Sequence, residues 1–271
     1  MKPYQTLKLQ SLVVALVFVV VTLVGVQFFS PFSVILITAP LGVVALSWRL
    51  FRALNKQFEL QQFKVFRQSE SLAGLYGTLD IQRPLPRTRH WAASPDFLHL
   101  MAGEIFRLQP ELIVEAGSGT STLIAAYCLR KLGRGKIISF DHTESYADIS
   151  RQTIDAHGLG DFAEIIYAPI REYEIEGRTY PWYDVAELEA IDRIDMLIID
   201  GPPEDIAADA RYAAVPLLVS KLHEKSMVLV DDGARPGEKE IVSKWKQNYG
   251  LHYTSELAEK GAYSCYFNAA N

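Results

Sequence analysis

No aspartate or glutamate precedes Glu59, while Lys2, Lys8, Arg49, Arg52 and Lys56 are all basic. From Leu9 to Trp48 charge of either sign is missing altogether. A stretch with no polar face cannot form an ordinary surface helix of a soluble domain. The rest of the chain therefore holds all 32 acidic residues against 22 of the 27 basic ones. So acidic a part argues against a phosphate-backbone partner, and no nucleic acid is expected. Cysteine is scarce too. Cys128 and Cys265, the only two in 271 residues, fall in a predicted helix and a predicted strand. Two buried structural thiols in a reducing compartment fit this better than a disulfide.

The uncharged region contains two apolar runs, Ser11–Phe29 and Phe32–Trp48, separated by Ser30-Pro31. Each approaches the roughly 20 residues needed to cross a bilayer. Backbone polar groups in lipid must be satisfied within the segment, so two transmembrane helices are expected, about 11–29 and 32–50, forming a hairpin over residues 1–56. Pro40 is a candidate kink. No small-residue cleavage site marks the first run as a secretory signal. Positive charge flanks both outer ends and not the connection, which places both termini in the cytoplasm and the anchor in the inner, cytoplasmic membrane.

Residues 57–93 read as an amphipathic helix and linker. Phe58, Phe63 and Phe66 suggest one apolar side, to pack on the globular part or lie on the bilayer. The proline- and arginine-rich segment 82–89 reads as extended. Ser94-Pro95-Asp96 combines a cap residue with proline at the first helical position, so a helix is expected from Pro95 to about Leu108. Beyond it, strands at 112–115, 137–140, 163–167, 195–199 and 226–230 alternate with helices at 121–131, 145–157, 205–222 and 237–248. Two further strands, 251–256 and 262–267, are separated only by Leu257–Gly261. The pattern implies an α/β fold for residues 94–271: a doubly wound, mainly parallel seven-stranded sheet with an antiparallel C-terminal hairpin.

The most informative stretch is LIVEAGSGTSTLI, residues 112–124. A short apolar strand runs into Gly117 and Gly119, and Thr120 or Ser121 can cap the helix that follows. A strand, glycine turn and helix in this order cradle a nucleotide-like ligand. Asp141 ends the next apolar run, Lys136–Phe140, about 20 residues on, where a carboxylate can accept both hydroxyls of a ribose.

Together with DMLIIDGPP (Asp195–Pro203), MVLVDDG (Met227–Gly233) and the approach segment WAASPD (Trp91–Asp96), these features resemble the class I S-adenosylmethionine-dependent methyltransferases over roughly Trp91 to Phe267. The resemblance is to a bacterial, membrane-anchored member. It implies that Gly117, Gly119 and Ser121 border the methionine part of the cofactor and that Glu115 contacts the same end. Asp141 would hold the ribose hydroxyls and His142 would border the adenine. Thr122 stands where a dinucleotide fingerprint has its third glycine, which disfavours NAD.

Asp200, Asp231 and Asp232 end two successive strands and should meet at the carboxyl edge of the sheet. Asp200 and Asp231 are the candidate catalytic residues, as base or acceptor-orienting groups. Three carboxylates together need positive charge among them. By resemblance to catechol-type O-methyltransferases, Mg2+ or another divalent cation bound to Asp200, Asp231 and Asp232 would supply it. The basic residue such enzymes carry after the fourth strand is missing from Gly201-Pro202-Pro203-Glu204. The long segment Arg171–Val185 reads as a hairpin insertion whose Tyr173, Tyr180, Trp182 and Tyr183 either line an acceptor pocket or pack the insertion down. His223 is placed at a helix end, facing its dipole.

The resulting expectation is methyl transfer from S-adenosylmethionine to a small-molecule or lipid-linked acceptor, most simply a hydroxyl. A nucleotide-dependent oxidoreductase and a non-catalytic membrane scaffold are the rival readings.

Overall fold

The computed structural model describes residues 16, 17, 19, 20, 22–24, 27, 30–88 and 92–267. The chain forms two compact units, Met1–Val65 and Phe66–Asn271. Most of the first expected transmembrane helix, about 11–29, lies outside the described residues, as does Trp91. The described residues from 16 to 27 are helical.

Helix α1 covers Pro31–Leu79. Ser30 caps it, its Oγ accepting the Ser33 N–H at 3.3 Å, with proline at the first position where a missing N–H costs nothing. The expected stop near residue 50 and the separate helix after it are both corrected: one helix runs through. Between Gly42 and Gly74 the sequence has no glycine or proline to end it. Within Met1–Val65 its side chains are largely exposed, including Phe32, Leu36, Val43, Leu46, Trp48 and Phe51. By length and composition Phe32–Leu79 is the one helix among the described residues able to cross a membrane. The two-helix hairpin is not seen as such.

In the second unit, α1 buries Gln68, Ser71, Leu75 and Leu79, a stripe at helical spacing. Arg67 pairs with Asp96 at 2.8 Å, and Gln68 Oε1 accepts the Asp96 N–H at 3.1 Å. Phe58, Phe63 and Phe66, the aromatic side read from the sequence, are all exposed. Asp80, at φ +52°, follows the helix in the left-handed region.

Helix α2 (Pro95–Leu108) leads into β1 (Leu112–Ala116), α3 (Thr120–Leu132), β2 (Lys136–Asp141), α4 (Glu144–Ala156) and β3 (Ala163–Tyr167). Strands β4 (Ile170–Ile175) and β5 (Arg178–Tyr183) form the expected insertion, an antiparallel pair of its own. Then follow β6 (Ile194–Ile199), α5 (Ala214–Leu218), β7 (Leu222–Val230), α6 (Pro236–Tyr249), β8 (His252–Glu256) and β9 (Ala262–Tyr266).

The seven-stranded sheet has the order β3-β2-β1-β6-β7-β9-β8. Its first five strands are parallel, and β9 runs antiparallel to both β7 and β8. Alternation along the strands supplies two cores. Ile113, Met196, Ile198, Met227 and Leu229 face α1, α2 and α3. Val114, Leu197, Ile199, Val228 and Val230 face the β4–β5 insertion, α5 and α6.

Two boundaries differ from expectation. The helix expected at 205–222 is a broken run, with 3-10 turns at Ala210–Ala213 and Val219–Lys221 around the short α5. Pro216 and the buried side chain of Arg211, which bonds main-chain oxygens elsewhere, prevent a regular helix there. His223 sits at the start of β7, not at a helix end, and its Nε2 lies 3.0 Å from Asp195 Oδ1.

Candidate active site

The carboxyl ends of β1, β2, β6 and β7 border a cleft of about 540 Å³. Gly117 through Ser121, Asp141, His142, Tyr183, Asp200 and Asp232 all line it. The order reverses beside β1, whose neighbours are β2 and β6, and ligands of open α/β sheets settle at such a switch point.

Gly117 has φ +104°, and a Cβ there would press on the Asp200 carbonyl and the Gly201 nitrogen at 3.3 Å. Glycine is required by both conformation and space. Gly119 is extended, and a Cβ would meet nothing within 4 Å, so its role is to leave the cleft open. The N-terminus of α3, whose first N–H groups have no partner within the helix, opens here at Thr120.

Behind this loop Glu115 is fully buried and does not line the cleft. Its Oε2 accepts the hydroxyls of Thr122 at 2.5 Å and Ser139 at 2.8 Å. The same Thr122 hydroxyl accepts the Gly119 N–H at 3.0 Å. Threonine at the third fingerprint position thus bridges the glycine loop to a buried acid. Burial pushes the Glu115 carboxyl up to about 7, against its hydroxyl partners. Its Oε1 has no hydrogen-bond partner among the described residues.

Asp141 is buried at the tip of β2. Its Oδ2 accepts the Ser118 hydroxyl at 2.7 Å and its Oδ1 the Thr143 N–H at 3.0 Å. An ionised carboxylate has about four acceptor sites, so each oxygen keeps one for a sugar diol. His142 packs edge-on to Tyr183 with 6.0 Å between ring centroids. These residues fit a nucleoside carrying a charged tail: a glycine loop without side chains, a helix N-terminus and a diol-accepting acid share one cleft.

The β4–β5 insertion bears on this cleft as well as packing down. Tyr180 and Trp182 are buried in the core, and Tyr173 Oη bonds the Tyr183 carbonyl and the Val185 N–H, both at 3.2 Å. Tyr183 alone of the four aromatics lines the cleft. Its hydroxyl occupies the space that a Cβ at Gly201 would need. Burial, with Asp141 next, raises this phenol well above its ordinary pKa, so it keeps its proton.

The strand-end carboxylates are placed differently from expectation. Asp200 opens onto the cleft. Burial, followed by its neighbour Asp231, pushes it well above the usual carboxylate range. Asp231 is fully buried behind the cleft wall, where Oδ1 accepts the Asp232 N–H at 2.8 Å. Burial pushes it up to about 6, with Asp232 adding to the rise. Asp232, at φ +60°, does reach the cleft, but its Oδ2 is held by Arg211 at 3.0 Å and Arg235 at 3.1 Å.

A divalent cation on Asp200, Asp231 and Asp232 therefore does not fit. One of the three faces away from the cleft, and another is already neutralised by two guanidinium groups. Among the described residues no group of three metal-ligating side chains comes together. Sequence reading missed Arg211. Its only signal was the need for positive charge, and nothing in local pattern ties a residue ten positions beyond Gly201 to that edge.

Residues 114–233 match the family model described as a methyltransferase domain. No curated protein shows significant similarity to the sequence. Among solved structures, a methyltransferase of Podospora anserina bound to SAH superposes with TM-score 0.54 at 14% identity, over 78% of this chain and 96% of that one. The cofactor-bound Rv0187 from MTB gives 0.51 at 14% identity, over 74% and 91%. A protein of Klebsiella pneumoniae described as a candidate O-methyltransferase gives 0.50 at 14% identity, over 75% and 90%. At this identity the superpositions establish the shared fold. The match to a methyltransferase domain takes in the glycine loop, Asp141, Asp200 and Asp232, so these cleft residues all lie within that domain.

Proposed function

We propose that the chain is a membrane-anchored methyltransferase that moves a methyl group from S-adenosylmethionine to a hydroxyl acceptor. The observation that carries the cofactor assignment is the meeting of the Gly117–Ser121 loop and the Asp141 carboxylate in one cleft. Gly117 lets the main chain approach the methionine part, while Ser121 and the first N–H groups of α3 face its carboxylate. Asp141 accepts the ribose hydroxyls and His142 borders the adenine. Glu115 acts from behind, through Thr122, by fixing the loop. When bound, S-adenosylmethionine supplies an electrophilic methyl carbon on a sulfonium.

Asp200 faces the acceptor side of the cleft. Burial holds the Asp200 carboxyl above its usual range, so in its ionised form it is a stronger base than an exposed carboxylate and is suited to take the acceptor's hydroxyl proton. Alignment of acceptor and methyl carbon supplies most of the rate in a displacement of this kind. The fully buried Asp231 has no part in that step.

The apolar stretch of α1 and the basic residues flanking the uncharged region support an anchor with both termini in the cytoplasm. An acceptor that is itself lipid-linked would be met at that surface. Calorimetric titration of the purified chain with S-adenosylmethionine and with NAD tests the cofactor assignment. Saturable binding of the first and none of the second is expected. Asp141→Ala should weaken that binding by about 10- to 100-fold, the worth of a charge-assisted hydrogen-bond pair. Binding of NAD alone would favour the oxidoreductase reading.

A further inference from the structure

Around the guanidinium of Arg211 the chain builds a cage made only of oxygen. The carbonyls of Pro202, Asp231 and Asp200 accept from Nε, Nη1 and Nη2 at 3.3, 3.2 and 3.2 Å. Asp232 Oδ2 lies 3.0 Å from Nη2, and Glu238 Oε1 lies 3.4 Å from Nη1. Three carbonyls and two carboxylates, drawn from the ends of β6 and β7 and the start of α6, are the donor set that a hard divalent cation also takes. Arg211 itself is only 5% exposed. Its planar fork satisfies several oxygens at once and cannot lose its charge.

Two further cations reach the carboxylates of the cage from its edge. Arg235 pairs with Asp232, Glu238 and, at 3.7 Å, Glu204. Lys260 lies 3.9 Å from Asp232 Oδ1 and donates to the Ala92 carbonyl at 3.2 Å. Of these three cations Arg211 is the one that also binds the carbonyls of Pro202, Asp231 and Asp200, and all three charges belong to the polypeptide.

We propose that Arg211 stands in place of a divalent cation at the carboxyl edge of β6 and β7. It is a positioning residue: it ties the loop that carries Asp200 to the loop that carries Asp232, and so holds Asp200 toward the cleft without a metal. The use made of Asp200 rests on the methyltransferase reading; the cage does not.

The test compares the full-length chain with Arg211→Ala and Arg211→Lys, each in EDTA and in millimolar manganese. Thermal unfolding and calorimetric titration with S-adenosylmethionine are the readouts. The unsubstituted chain should melt and bind identically in both buffers. In EDTA, R211A should melt about 10 °C lower, because removing one partner strands buried acids. It should also bind S-adenosylmethionine at least about tenfold more weakly, because the β6 and β7 loops lose their common tie. Manganese entering the emptied cage should recover much of both losses. R211K keeps the charge without the fork and should fall between the two, indifferent to manganese.

A manganese response in the unsubstituted chain, an R211A that matches it, or an R211A whose losses manganese leaves untouched would each overturn the proposal. If R211A folds in neither buffer, R211K decides: unchanged melting and unchanged binding would show that the fork is not needed and sink the idea. Failure of the unsubstituted chain to bind S-adenosylmethionine would refute the enzymatic reading instead, while the melting comparison still judges the cage.

Discussion

Thr122 is the residue whose substitution should be most informative about the glycine loop. Its hydroxyl receives the Gly119 N–H and donates to Glu115. Thr122→Val keeps the shape, removes the partner of the Gly119 N–H and leaves the buried Glu115 Oε2 with Ser139 alone. Leaving buried polar groups unsatisfied costs on the order of 1–3 kcal/mol each. Chemical denaturation should show a loss in that range, accompanied by weaker binding of S-adenosylmethionine. Serine at the same position should retain most of both. Glu115 gives a pH signature. Its folded-state pKa, about 7, lies above the ordinary glutamate value of 4.5, so the native state holds the proton more tightly than the unfolded chain. The stabilisation is complete below the unfolded value and is lost as pH rises through the folded one. Denaturation from pH 4.5 to about 8 should therefore show a downward slope in stability on the order of 3 kcal/mol. Asp231, raised to about 6, and Asp200, raised well above the usual range, contribute in the same direction. In Glu115→Gln the slope should become shallower, with the remainder left to the buried aspartates. An unchanged slope would assign it to other groups.

At the scale of elements, the β4–β5 insertion is fixed at its tip. Glu176 in the turn accepts the hydroxyls of Tyr212 at 2.8 Å and Tyr249 at 2.9 Å, together with the Asn248 amide. Arg171 pairs with Asp184 at the other end of the insertion. The hairpin is thus a fixed wall that carries Tyr183 to the cleft floor. Glu176→Ala should raise amide exchange across residues 170–183 while leaving β1, β6 and β7 protected. Uniform exchange changes throughout the sheet would contradict a local clamp. The sequence showed this insertion through the length and aromatic content of Arg171–Val185. It could not say which aromatic reaches the ligand cleft, because that depends on the sheet face under which the hairpin folds. The broken segment around α5 was illegible for a related reason. Its apolar residues suit a helix, but Arg211 is spent on carbonyls that are distant in sequence.

For the whole molecule, the apolar stretch within α1 and the uncharged region before it should keep the chain with the membrane. After fractionation it should resist alkaline carbonate and be released by detergent. A C-terminal fluorescent reporter should be active and an alkaline phosphatase fusion at the same site silent, as the charge asymmetry requires. The reverse pattern would invert the orientation.

Sequence alone determined the alternation of strands and helices, the antiparallel ending, the glycine loop and Asp141. Each of these is written in local periodicity or in residues whose conformational demands are local, such as Gly117 at positive φ. Local signals did not single out the buried stripe of the second unit, Gln68, Ser71, Leu75 and Leu79, because two of its four residues are polar. Tertiary structure decided how charge is balanced at the carboxyl edge. Asp200 and Asp232 face the cleft, Asp231 does not, and a guanidinium ten residues beyond Gly201 lies among their oxygens. Electrostatic compensation acts through space, and only the folded chain brings those atoms within reach of one another.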